Sequence, residues 1–177
     1  HPDPQKRTLD AATLRLDPPA AARLLVPMAM HLGAPARPLV AKGARVLVGQ
    51  PIGAADRPMS AWVHAPVSGT VTAIRRILQS NGAFADAVEI ASDGLGEVDP
   101  SVRPPDVVDR ASFVAAIAAS GLVGLGGASF PTHIKLSPPP DKAPDCLVIN
   151  AAECEPYITS DYRACLEEPD AIADGIL

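Results

Sequence analysis

KGARVLVGQPIG, residues 42–53, runs turn, strand, turn, and APVSGTVTAI, residues 65–74, repeats the turn and the strand with Gly69 at the bend. Both sit in a longer stretch, residues 8–93, where short apolar segments (ATLRL, ARLLVPM, WVHAPVSGTVTAI, DAVEIAS) are cut by proline and glycine at short intervals. Segments of that length, bounded by turn residues, predict a compact all-β barrel or sandwich.

The chain has 177 residues, enough for one large or two small domains, and 47% of them are hydrophobic, enough for real cores. Only 3% are aromatic, so those cores must be built from Ala, Val, Leu and Ile. A net charge of -5 with fifteen scattered basic residues argues against a nucleic-acid-binding surface, which needs clustered Lys and Arg. Cys146, Cys154 and Cys165 form no C-x-x-C pair and suit a reducing compartment. Residues 111–132 carry no charge, but their second half is glycine-rich and Phe130 leads into Pro131, which argues against a membrane span. The opening HPDPQKRTLD has no apolar signal-peptide core. Starting at His-Pro and stopping inside the helical pattern DAIADGIL, the chain reads as a piece of something longer.

Residues 93–109, DGLGEVDPSVRPPDVVD, are proline-rich, acidic and aperiodic, and are expected to link two domains. The expected division is a β domain at 1–95, a linker at 96–108 and an α/β domain beginning at 109. DRASFVAAIAASG, residues 109–121, has a helical repeat with Asp109 or Ser112 as N-cap and Gly121 as stop. DCLVIN, residues 145–150, reads as a buried parallel-type strand, AAECEPYITS as a loop, and DYRACLEEPDAIADGIL as one or two helices broken at Pro169. Ligand sites in α/β arrangements lie beyond the carboxyl ends of strands.

Between the first helix and that strand lies GLVGLGGASFPTHIKL, residues 121–136. It is not a Walker loop, since no lysine directly follows the glycines. It nearly matches a dinucleotide fingerprint at Gly124 and Gly126, but Ser129 takes the third position and the loop follows a helix rather than a strand. What remains is a loop whose bare backbone admits a flat heteroaromatic ring, with Lys135 available to an anionic phosphate. A helix cap followed by a tight turn explains Gly121, but not Gly124, Gly126 and Gly127 together.

GLGGASFPTHIK followed by INAAECEPYIT resembles the paired FMN-binding loops, G-x-G-G-A-G-F-P-T and N-x-x-E-x-E-P, of the flavin subunits of respiratory NADH dehydrogenases. The half-motifs at 42–53 and 65–74 resemble a biotinyl/lipoyl-like hammerhead, a barrel-sandwich hybrid of two interlocking halves. Barrel first and flavin loops second, the chain is similar over almost its whole length to the RnfC proteins of Rnf-type complexes, membrane-bound NADH:ferredoxin oxidoreductases coupled to ion transport. The resemblance implies a mostly-β barrel-sandwich hybrid followed by the start of an α/β FMN/NADH-binding domain. It implies that Gly124, Gly126, Gly127 and Ala128 line the isoalloxazine and ribityl chain, that Lys135 faces the FMN phosphate, and that Phe130 packs on the nucleotide side. It further implies that Asn150 bonds the flavin ring, with Glu153 beside it and Glu155 near the nicotinamide of NADH.

Ser129 stands where the pattern has glycine, so a left-handed backbone there carries strain. Two [4Fe-4S] clusters are implied only for sequence beyond Leu177. The implied partners are the other subunits of the membrane complex, with ferredoxin or its equivalent downstream, at the cytoplasmic side of the bacterial inner membrane and peripheral to it. Carrier domains of the hammerhead type place a modifiable lysine between their halves; residues 54–63, AADRPMSAWV, contain none. A docking or structural role is therefore expected for the barrel. His31 and His64 are read as ordinary packed or surface histidines. Two alternatives stay open: a non-catalytic docking module, and a flavin-dependent cobalamin reductase, whose family shares the loops.

Overall fold

A computed structural model describes every residue except His1, Pro2, Pro4, Asp17, Pro18, Ala20, Ala21, Gly126, Ala143 and Leu177. The chain forms two compact units, one of residues 18–142 and one of residues 1–17 with 143–177.

In the first unit, apolar segments and turns alternate to give, among the described residues, seven strands: β1 Arg23–Pro27, β2 Arg37–Pro38, β3 Arg45–Val46, β4 Pro51–Ala54, β5 Val63–His64, β6 Gly69–Leu78 and β7 Phe84–Ser92. They pair antiparallel in two sheets, ordered β1-β7-β6-β3 and β2-β4-β5. Met28, Val46, Ile52, Val71, Val88 and Ile90 are fully buried in one core cluster. The core is aliphatic, as the low aromatic content requires. Each such side chain contributes about 1.5 to 3 kcal/mol by leaving water.

In β6 the register passes from Val71 opposite Ile90 to Ala73 opposite Glu89, leaving Thr72 as an extra residue. Its hydroxyl donates to the carboxylate of Glu89, a buried acid that also takes Arg75 Nε at 2.7 Å and lies 3.7 Å from Arg23. The Thr72 hydrogen bond, helped by Arg75 against the cost of desolvation, holds the Glu89 carboxyl below its ordinary range.

After the strands comes α1, Arg110–Ser120. Asp109 is its N-cap, accepting from the Ser112 amide at 2.7 Å while Ser112 Oγ accepts from the Asp109 amide at 3.0 Å. Gly121 ends it in the left-handed conformation, φ 71°. A short α2, Thr132–Lys135, and a 3-10 turn, Pro140–Lys142, complete the unit. No helix among the described residues is long and apolar enough to cross a membrane.

The second unit holds α3, Ser160–Glu167, and α4, Pro169–Ile176. Pro169 opens α4, where a missing N–H costs nothing. The start of the chain is tied to α3: Glu167 accepts from the Thr13 amide at 2.9 Å, Arg163 donates to Leu9 O at 3.0 Å, and the hydroxyls of Thr8 and Thr159 meet at 2.7 Å.

Two expected strands are absent. Residues 12–16 form none, because the Thr13 amide is spent on Glu167 rather than on a ladder, and Leu14 and Leu16 stay exposed. Residues 145–150 are likewise without strand pairing, and Leu147, Val148 and Ile149 are exposed rather than buried. A β segment needs a neighbour to bond, and no described residue supplies one to this segment.

Candidate functional site

The glycine loop is the connection from α1 to α2. Its mouth is closed by a bridge between Val123 and Pro131, by the Gly124 amide donating to Phe130 O at 3.0 Å, and by the Thr132 amide donating to Leu122 O at 3.1 Å. Between these pinned ends, Leu125 is 93% exposed, and Gly127 and Ala128 are exposed as well. Gly127 has φ 124°, a conformation side chains disfavour, and a Cβ built there meets nothing within 4 Å. Bare backbone with open space before it is what a flat ring needs for close approach. At Gly124 a Cβ would make only ordinary contact, 3.7 Å from Phe130 N. Gly126 lies outside the described residues.

Ser129 has φ 49°. The left-handed conformation that the glycine pattern implies at this position is therefore present with a serine in it, at a cost of about 1 to 2 kcal/mol. Its carbonyl accepts from the Leu32 amide of the barrel at 3.0 Å. Lys135, the last residue of α2, is exposed and makes no hydrogen bond or ion pair with any described residue. It is an uncommitted cation on the helix that leaves the loop.

Asn150, Glu153 and Glu155 belong to the other unit. Asn150 Oδ1 accepts from the Ala152 amide at 3.0 Å, which leaves its side-chain NH2 unengaged. Glu153 is occupied at both oxygens: Oε1 takes the amides of Asp161 and Tyr162 at 2.9 and 3.2 Å, and Oε2 takes the Ser160 hydroxyl at 3.2 Å. It serves the open N-terminus of α3, whose own cap residue, Thr159, makes no side-chain cap. The Glu155 side chain is exposed, while its carbonyl is held by Lys6 Nζ at 3.3 Å and the carbonyl of Ile158 by the same amine at 2.7 Å. Between these two, Tyr157 has φ 74° and is 66% exposed, a strained aromatic that nothing in the local sequence announces. Leu125 and Tyr157 are large, exposed side chains of the two loops that no sequence signal singled out.

A separate cleft of about 550 Å3 in the first unit is lined by Pro51, His64, Val102, Arg103, Ala116 and Ala119 among others. Burial lowers the His64 pKa, opposed by a hydrogen bond to the Ala119 backbone. Among the described residues, none of the predicted site residues lines this cleft.

The profile of the RnfC barrel-sandwich hybrid domain matches residues 1–95, more than half of the chain. The chain belongs to the RnfC family. The profile of the Nuo51 FMN-binding domain matches residues 117–177, which contain both loops. Among curated relatives, the RnfC-type subunit of the Na(+)-translocating ferredoxin:NAD(+) oxidoreductase complex of Acetobacterium woodii is 42% identical over 156 residues, 86% of this chain and 35% of that protein. Its counterpart in the proton-translocating ferredoxin:NAD(+) oxidoreductase complex of Clostridium ljungdahlii is 37% identical over 179 residues, 99% of this chain and 39% of that one. The counterpart in the ion-translocating oxidoreductase complex of Pseudomonas aeruginosa is 43% identical over 162 residues, 89% of this chain and 21% of that one. The RnfC-family chain described here thus spans two fifths or less of the length of these relatives. Its residues are compatible with the flavin that the second profile implies: unencumbered, exposed backbone at Gly127, and at Lys135 a cation without a partner among the described residues.

Proposed function

We propose that this chain is the flavin-binding front part of an NADH-oxidising RnfC protein within an Rnf-type complex. That complex exchanges electrons between NADH and ferredoxin, or its equivalent, and couples the exchange to ion transport. The observation that carries the proposal is Gly127, exposed at φ 124° with nothing within 4 Å of a Cβ built on it, within a segment that matches an FMN-binding domain.

Bound FMN supplies hydride acceptance from NADH and release of electrons one at a time. The protein's part is orientation and charge. Gly124, Gly126, Gly127 and Ala128 offer backbone to the ring and ribityl chain, and Phe130 closes the nucleotide side. Lys135 neutralises the phosphate. Asn150, with its free NH2, bonds the ring. Glu153 holds the second loop against the N-terminus of α3, so that Glu155 can meet the nicotinamide. NADH oxidation, two [4Fe-4S] clusters beyond Leu177, and a peripheral position at the cytoplasmic face of the inner membrane through the partner subunits belong to the same proposal.

The roles of Lys135 and Glu155 separate kinetically. Lys135→Ala removes a charge-assisted contact worth about 1.5 to 3 kcal/mol, so flavin affinity should fall roughly 10- to 150-fold and excess FMN should restore activity. Glu155→Gln should leave flavin content normal and slow hydride transfer by up to about 100-fold, with no rescue by FMN. Stopped-flow bleaching of the flavin by NADH in the full-length protein reads both. Wild-type rates with full occupancy in both variants would instead favour a docking module.

A further inference from the structure

We propose that the barrel positions the glycine loop: the turn at residues 30–35, locked onto residues 59–60, holds Ser129 in its left-handed conformation through the Leu32 amide. This inference rests on the flavin proposal for its consequence, though not for its geometry. It also gives a task to residues 54–63, which carry no lysine to modify.

Among the described residues, one backbone hydrogen bond reaches residues 125–129, the Leu32 amide to Ser129 O at 3.0 Å. The bond fixes the plane of the peptide between Ser129 and Phe130. Phe130 O in turn receives the Gly124 amide that closes the loop. A serine at φ 49° needs its surroundings to define its backbone, because left alone it prefers another region. Leu32 can do this only if its own turn is rigid, and the turn is bonded on every side.

The base of the turn is closed by the Ala36 amide donating to Met28 O at 2.8 Å. Its crest is seated on Met59 and Ser60. The Ala34 amide donates to Met59 O at 2.8 Å, and Gly33, at φ 108°, lies so close that a Cβ would come within 2.3 Å of the same oxygen. The Ala34 carbonyl receives the Ser60 hydroxyl at 2.9 Å and His31 Nε2 at 2.9 Å, with Nε2 also 3.2 Å from Ser60 Oγ. A carbonyl only accepts, so Nε2 carries the proton. Ser60 is 1% exposed, and three polar groups converging on one another around a buried hydroxyl narrow the geometry that the half-buried turn can take. His31, Gly33 and Ser60 are therefore positioning residues that act on the loop through Leu32.

The test is amide hydrogen exchange and FMN titration on the full-length protein carrying Leu32→Pro, which deletes the donor, and Ser60→Ala, which loosens the turn but keeps it. Leu32→Pro should quicken exchange across residues 122–131 and weaken FMN binding about three- to ten-fold, while β6 and β7 exchange as in wild type. Ser60→Ala should do the same more weakly, and Ser60→Thr, which keeps the hydroxyl, should restore wild-type behaviour. If Leu32→Pro opens β6 and β7, Ser60→Ala decides. Unchanged exchange in the loop of a variant whose barrel is intact overturns the inference. Wild-type protein that binds no FMN would refute the flavin proposal instead, and the exchange result would still decide whether the barrel holds the loop.

Discussion

Ser129 sits where the flavin-loop pattern has glycine, and it takes up the backbone that glycine would use, φ 49°. Ser129→Gly removes about 1 to 2 kcal/mol of left-handed strain and adds about 0.5 to 1 kcal/mol of chain entropy. A net gain of up to about 1.5 kcal/mol is expected, measured as a raised melting temperature with the flavin spectrum unchanged. A lowered melting temperature would mean that the hydroxyl, and not only the backbone, is used. This position was legible because a pattern named the residue it ought to be. Glu153 was not legible in the same way. It serves α3 from seven residues before the helix begins, whereas capping rules look at the residue next to the first turn.

At the scale of elements, local signals carried α1 well: its Asp109 cap, its Ser112 partner and its Gly121 stop lie within one short stretch. The barrel strands were also legible, since turn residues punctuate every one. Residues 12–16 and 145–150 were misjudged because apolar alternation states only that a segment can pair, and pairing depends on a distant neighbour. The same limit hid the bond from Leu32 to Ser129, which joins backbone groups nearly a hundred residues apart.

The tie between the start of the chain and α3 makes a further prediction. Arg163, and then Thr13, lower the pKa of Glu167 from its ordinary 4.5 to about 2. A depressed carboxyl stabilises the fold at pH values above its unfolded pKa, and that stability is lost as pH falls from about 4.5 toward 2. Exchange at the amides of α3 should therefore report an opening equilibrium that grows in this window, after correction for intrinsic rates. Glu167→Gln should raise opening at neutral pH and remove its dependence across the window. A pH-independent opening in wild type would show that the pair is too well solvated to matter.

On the scale of the whole molecule, an RnfC-family barrel precedes a segment matching an FMN-binding domain, and the glycine loop of that segment is bonded back to the barrel. By the function proposed above, this loop binds FMN and NADH reduces it there. The visible absorption spectrum of the purified full-length protein, taken without oxygen before and after NADH is added, tests this most directly. A flavin spectrum that stays with the protein through gel filtration and bleaches on addition of NADH is the predicted result. Colourless protein that acquires no flavin band when FMN is supplied, or a bound flavin that NADH leaves oxidised, would contradict it.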